Sequence, residues 1–472
     1  MVVRRIAAGV LDFGVIRTEF QLSEEYPAEA VAEATAAVDA HAGEREDRTD
    51  LPFVTIDPPS SMDLDQAVHI ERTAAGGFIV HYAIADVGAV VVPGSVLDKE
   101  TRRRGQTFYL PDGSLPLHPR ELSEGSASLL PDQTRPVALW TIELDATAAV
   151  TQFSVRRALV KSIARLDYAG VQADADAGTL HPSIADLPAF GALRAAAALQ
   201  RGSIELKLPE QEVVPADEQK STWRLELQPR TAADDWNAEV SLLTGMCAAQ
   251  LMIEARIGLL RTLPPPDPEA EVAMRKTAGA LGLDWPTTTS VGVFLAELPA
   301  NAPDTLVMMT AATTLLRGAD YAAFDGTLPD LLEHSGIGAP YAHVTAPLRR
   351  LSDRFATEVC LAVSAKTDVP AWARDALPEL SEIMRGSDSL ANKVERACID
   401  LTEAFVLAPR VGQKFSAVVV KSADGKRDSE IFVNDPPVLA KCTGAPPEGQ
   451  VVSVQLTTAD ITKRAVAFAY SK

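Results

Sequence analysis

The chain has 472 residues, with 64 acidic against 44 basic side chains and a formal charge of −20. It is 47% hydrophobic and 23% charged, the composition of a globular protein of about two to four domains. That acidity argues against a protein that coats polyanions over its whole surface, while leaving room for a local basic channel. The four cysteines, Cys247, Cys360, Cys398 and Cys442, lie far apart without paired spacing. They read as small core residues of a reducing compartment, neither disulfides nor zinc ligands. The start is basic then apolar up to Ile16, but Asp12 interrupts it and no cleavage site follows, which argues against a signal peptide.

In chain order, two apolar runs around Gly9 and Gly14 come first. A helix is expected from Pro27 to about Ala42, with proline at its start and alanines through it. A charged linker, Gly43 to Asp50, follows. Strands are expected over Phe53–Ile56, Ala67–Ile70 and Phe78–Ile84, then a helix from Leu97 to Gly105 ending in the basic cluster Arg102-Arg103-Arg104. Thr107 to Pro119 is loop-like, and residues 136–165 return to strand alternation.

The segment Ser241–Leu260 is the best membrane candidate, yet Gln250, Glu254 and Arg256 lie inside it. It reads better as a buried helix, since a span needs ~20 residues largely free of charge. Its stripe is Leu242, Met246, Ala249, Ile253, Ile257 and Leu260, and Pro264-Pro265-Pro266 closes it. Helices are also expected from Leu348 to about Ala365 and from Leu380 to about Leu407. After Gly412 come short alternations, Phe415–Val420, Glu430–Val433, Val451–Leu456 and Ala465–Phe468. Such a run suits a small β-barrel of the OB kind.

Two segments suggest chemistry. The first is Asp57, Asp63 and Asp65, around the turn Pro58-Pro59-Ser60-Ser61. Asp57 ends an apolar strand, and Asp63 and Asp65 share one face of an extended segment. A turn between them brings three carboxylates together, a set of hard oxygens suited to Mg²⁺ or Mn²⁺. A solvated acidic turn has the same spacing. The second segment runs from His334 to Arg354. Thr345 is a candidate N-cap with Pro347 in the first turn, which puts Arg349, Arg350 and Arg354 on the first turns of a helix. Such a helix start, with an arginine fork, can hold a phosphate. A capped helix with arginines in water or paired to Asp353 fits equally.

Taken together, these segments resemble the RNB catalytic domain of the ribonuclease II family. Thr55-Ile56-Asp57 with Asp63 and Asp65 is similar to its acidic signature. Ile84-Ala85-Asp86-Val87, Leu97-Asp98, Arg104-Gly105, Tyr109-Leu110-Pro111 and Leu115-Pro116-Leu117 follow in the family's order, and Tyr341 to Asp353 is similar to its arginine-arginine stretch. The resemblance implies an α+β fold. It places a short N-terminal region and linker over 1–50. An RNB domain of mixed sheets and helices around an RNA channel takes 51–408, and an OB-like barrel takes 409–472.

It also implies Mg²⁺-dependent hydrolysis of single-stranded RNA, 3′→5′, to nucleoside 5′-monophosphates, with Mn²⁺ as the alternative ion. The expected setting is a cytoplasmic monomer without membrane attachment. Asp57, Asp63 and Asp65 would hold metal. Asp65 and Arg349 would be catalytic, the arginine neutralising the phosphoryl group. Tyr109 would stack on a base, and Thr345, Arg350 and Arg104 would contact RNA.

The chain departs from the pattern at Gln66, where the family has a fourth metal-binding aspartate. A glutamine offers a carbonyl oxygen without charge, so Gln66→Asp is expected to lower the Mg²⁺ requirement. Thr357 and Glu358 stand where His-Arg is frequent, and Gly245 where Asn is usual. Fifty residues before the domain cannot hold the two cold-shock barrels of well-known members, so weaker and less processive RNA binding is expected. The runner-up is a catalytically inactive RNB fold serving as an RNA-binding or scaffold protein.

Overall fold

The computed structural model describes residues 11–217, 222–228, 230–300, 302–423, 425 and 427–471; the run around Gly9 lies outside them. The central element is a six-stranded sheet in the order Glu46–Asp47, Val150–Leu166, Phe53–Ile56, Gln66–Arg72, Phe78–Ala85, Thr134–Leu144. The long strand Val150–Leu166 pairs antiparallel with Thr134–Leu144 along its first part. Its last residues run parallel to Phe53–Ile56. Pairing therefore returns on itself around the sheet.

Side chains alternate across this sheet at period two. Val80, Tyr82, Ile84, Trp140 and Ile142 pack into a core with the helices Ala232–Ala255 and Leu351–Ala365. Ala83, Ala85, Val137 and Leu139 face the other way, toward Ala30 and Ala34 of the helix Ala28–Thr35 and toward Leu97. Both faces are covered, so the strands read as near-continuous apolar runs. Burying each large side chain contributes about 1.5–3 kcal/mol.

The helix Ala232–Ala255 is opened by a capping box between Thr231 and Asp234. It ends earlier than its apolar stripe suggests. Arg256 takes a left-handed conformation, φ 56°, and stops it. Ile257 and Leu260 then belong to a strand, Ile257–Thr262, paired with Asp320–Asp325. A fully buried strand keeps the apolar character of a helix stripe, so the two run together in sequence. The early helix is likewise shorter than expected, Ala28–Thr35. Among the described residues no helix is long and apolar enough to cross a membrane, and the four cysteines are buried and unpaired.

The helix Leu377–Leu407 leads to a closed five-stranded barrel. Its strands are Lys414–Lys421, Ser429–Asn434, Pro437–Thr443, Val451–Asp460 and Ala465–Tyr470, around a core that includes Phe415, Ile431, Val454 and Phe468. The OB-like barrel is thus present, with one strand, Pro437–Thr443, more than the alternation alone indicated. Prolines at 436 and 437 hide it, although its Val438, Ala440 and Cys442 point inward.

Candidate active site

Asp57 leaves the end of its strand with its backbone N–H bound to the carbonyl of Leu166, 3.1 Å. The turn that follows closes through Ser61 N–H to Pro58 O, 3.0 Å. Arg165 holds it by donating to the Pro59 carbonyl. The next stretch is pinned from below. The Ser128 hydroxyl donates to Met62 O at 2.7 Å and accepts from Leu64 N–H at 3.0 Å. Leu64 is fully buried, which fixes Asp63 and Asp65 on either side of it.

Burial pushes the Asp57 carboxyl up to about 7, with the Asp63 charge adding to the effect and Arg349 and Arg165 opposing it. Burial also raises Asp63, and raises Asp65 well above the usual carboxylate range. Arg349 is the cation that counters the rise at all three. The three acids share Arg349, and their raised hold on protons is what a divalent cation bound among them would relieve. The donor set is hard oxygen, as Mg²⁺ and Mn²⁺ require. The residues thus fit an ion in type and charge. Among the described residues, however, no three carboxylate, imidazole or thiolate groups form a ready-made ligand cluster.

Asp65 reaches the arginine loop directly. Its Oδ1 accepts the Leu348 N–H at 2.7 Å, and its Oδ2 stands 3.5 Å from Arg349 Nε. The loop itself is not the start of a helix, as the sequence suggested. Thr107 N–H binds Arg349 O at 2.9 Å, and Leu351 N–H binds Gly105 O at 3.0 Å. This bridge to residues 105–107 keeps Arg350 extended. The helix therefore begins at Leu351. Arg349 and Arg350 precede it, and only Arg354 lies on it. Thr345 is buried and does not cap; Asp353 instead accepts the Ala346 N–H, 2.7 Å.

Arg350 is held by two hydrogen bonds to Asp353, 3.0 and 2.9 Å. With Arg349 it lines a cavity of about 320 Å³, beside Tyr109, Arg261, Tyr321 and His343. Tyr109 is 56% exposed, its ring free to meet a ligand. Tyr321 and His343 are joined through Tyr321 OH and His343 Nδ1, 2.9 Å. Burial, with Arg350 and Arg261 nearby, pushes that imidazole well below its usual range. Sequence reasoning missed Arg261 and Tyr321, which reach the cavity from the strand pair Ile257–Thr262 and Asp320–Asp325. Only the pairing brings them there.

Arg104 is not on an open path. It is buried, pairs with Glu100 at 2.8 Å, donates to Glu25 O at 2.8 Å and lies over the Tyr26 ring. Its charge is used to hold the N-terminal segment. Arg354 is likewise internal, bound to Asp98 at 2.6 Å.

Gln66 is half-buried. Its amide donates to the Thr345 carbonyl at 2.5 Å and accepts from the Tyr82 hydroxyl at 3.0 Å. Gly245 lets the loop approach its helix. A Cβ there would stand 2.1 Å from the Tyr341 ring.

The RNB domain model matches residues 45–363, most of the chain and all of the site just described. The chain belongs to the RNB family. The model of the RNase II-type exonuclease C-terminal S1 domain matches residues 413–471, the closed barrel. Ribonuclease R of Escherichia coli is 31% identical over 346 residues, covering 70% of this chain and 40% of the relative. The exosome complex exonuclease RRP44 homolog A of Arabidopsis thaliana is 26% identical over 375 residues, 77% of this chain and 40% of the relative. The chain thus spans about 40% of the length of these relatives. Among solved structures, the apo form of Mycoplasma genitalium RNase R superposes with a TM-score of 0.86 at 20% identity, covering 97% of this RNB chain and 77% of that one. Yeast Ssd1, described as a pseudonuclease, superposes with a TM-score of 0.67 at 17% identity, over 84% and 50% of the two chains.

Proposed function

We propose that this RNB-family chain is a metal-dependent 3′→5′ exoribonuclease that hydrolyses single-stranded RNA to nucleoside 5′-monophosphates. One observation carries this reading. The buried Asp65 meets Leu348 and Arg349 across the fold, and Arg349 lines a cavity with two further arginines and an exposed tyrosine. Asp57, Asp63 and Asp65 would hold Mg²⁺, or Mn²⁺ in its place. When bound, the ion supplies an activated water and charge neutralisation at the phosphoryl group. Arg349, 44% exposed at its side chain, turns its free N–H groups to the phosphoryl oxygens, where donors stabilise developing charge. Tyr109 offers its ring to a base near the 3′ end, a contact worth about 1–3 kcal/mol and indifferent to sequence. Arg350, fixed by Asp353, adds positive charge along the cavity. The buried, unpaired cysteines suit action in the reducing cytoplasm.

A second reading is favoured by Gln66, an uncharged residue where the family resemblance calls for a fourth acid. In it the chain binds RNA on an inactive RNB fold. The test is incubation with 5′-labelled single-stranded RNA in Mg²⁺, Mn²⁺ or chelator, beside Asp65→Asn. A ladder from the 3′ end that needs both metal and Asp65 supports the exoribonuclease. Tight binding without cleavage in either metal supports the second reading.

A further inference from the structure

Gln66 opens the strand Gln66–Arg72, immediately after Asp65. It lies opposite Ile84, and Tyr82 sits two residues along the same partner strand, on the same face. Both ends of its amide are engaged. The Thr345 carbonyl can only accept, so the nitrogen must face it, at 2.5 Å. The oxygen takes the Tyr82 hydroxyl at 3.0 Å, and that hydroxyl also meets Ser241 Oγ at 2.8 Å. Tyr82 is 1% exposed, so this polar group is anchored in the core rather than in water.

Adjacent residues thus grip the arginine loop at two points. Gln66 holds the carbonyl of Thr345, and Asp65 holds the N–H of Leu348. An aspartate at position 66 is shorter and, when ionised, purely an acceptor; it cannot donate to the Thr345 carbonyl. A glutamate has the length but lacks the donor as well. We propose that Gln66 is a positioning residue, not a metal ligand: its amide ties Thr345 to the sheet so that Leu348 and Arg349 meet Asp65. Its effect on rate rests on the exoribonuclease reading; its effect on the loop does not. On this proposal Gln66→Asp leaves metal affinity unchanged, where the sequence alone led to an expectation of a lower Mg²⁺ requirement.

The experiment uses the full chain with Gln66→Ala, Gln66→Asp and the near-isosteric Gln66→Glu, which preserves volume and acceptance from Tyr82. Hydrogen exchange is followed in peptides spanning residues 343–351, and Mn²⁺ binding is measured by calorimetry without RNA. Single-turnover cleavage at saturating Mn²⁺ reads the rate on bound RNA, independent of the folded fraction. All three variants are expected to speed exchange at Leu348 and slow the single turnover by about tenfold, the scale of one lost hydrogen bond to a buried group, while Mn²⁺ affinity stays within about twofold. Unchanged exchange in all three overturns the tether. So does tighter Mn²⁺ binding by Gln66→Asp, or weaker binding by Gln66→Ala. If the unaltered chain cleaves no RNA, the nuclease reading fails, while exchange and Mn²⁺ binding still decide the tether.

Discussion

Asp65 accepts the Leu348 N–H at 2.7 Å although the two residues are 283 positions apart. A carboxylate at 3% exposure thereby fixes the backbone that presents Arg349. Asparagine keeps an oxygen for that N–H and loses the charge. Asp65→Asn is therefore expected to leave the melting temperature nearly unchanged. RNA affinity should hold, and the cleavage rate should drop by at least about a hundredfold, as when a transition-state group is lost. Gel-shift titration beside the labelled-RNA assay checks this. A variant that cleaves normally would remove Asp65 from the reaction.

Among the described residues the Arg349 guanidinium makes one loose ion pair, 3.5 Å to Asp65, and its side chain stays 44% exposed. That exposure leaves donors open to a phosphoryl group. Lysine keeps the charge but not the planar fork. Arg349→Lys is expected to lower kcat by about ten- to a hundredfold and Arg349→Ala by about a hundred- to a thousandfold, with KM for RNA little changed. Steady-state kinetics on a short labelled oligonucleotide separates the two constants. A rise in KM at constant kcat would make Arg349 a binding residue only.

Much of the site was legible as local pattern. The acidic turn and the arginine loop each carry their residues within a short run of sequence. The strand leading into Asp57, the helix Leu351–Ala365 and the OB-like barrel followed from periodicity and turn chemistry. What stayed hidden depends on pairing between distant segments. Nothing near Arg350 signals that residues 105–107 hold it extended and delay the helix. The strand Ile257–Thr262 continues an apolar run that suits a helix equally well, until Arg256 breaks it. The partners of Gln66, Thr345 and Tyr82, come from other elements, so its hydrogen bonds could not be read from its neighbours in sequence.

Glu358 is a buried acid on the helix Leu351–Ala365, and the fold supplies the matching charge from other elements. Arg157 donates to both of its oxygens at 2.8 Å and to Asp86 at 2.7 Å, and Arg45 joins Asp86 at 2.8 Å. Glu358 is 3% exposed, and a Cβ on Gly88 would meet its Oε1 at 2.2 Å. Removing one partner of such a buried pair strands a charge. Arg157→Met is expected to cost about 3–5 kcal/mol of stability, and adding Glu358→Met to recover part of it. Urea unfolding of the single and double variants tests this. A double variant as unstable as the sum of the singles would show the pair to be uncoupled.

Glu403 links the long helix to the barrel. Its Oε1 accepts from Gln211 Nε2 at 2.8 Å, and the same nitrogen donates to Pro437 O at 2.7 Å. Burial pushes its carboxyl from 4.5 to about 7; Gln211 and Arg396 oppose the shift and Asp400 adds to it. The folded chain therefore holds this proton more tightly than the unfolded chain. Its contribution to stability is fully present below the ordinary glutamate range and is lost as pH rises through about 7. Glu403→Gln keeps the acceptor for Gln211 and removes the charge. It is expected to raise the melting temperature at pH ~8, by a gain of roughly 1–3 kcal/mol, and to change it little at pH ~5. Thermal unfolding at the two pH values decides the matter. A variant destabilised at pH ~8 would mean that the ionised carboxylate, not the neutral acid, is the form the folded chain prefers.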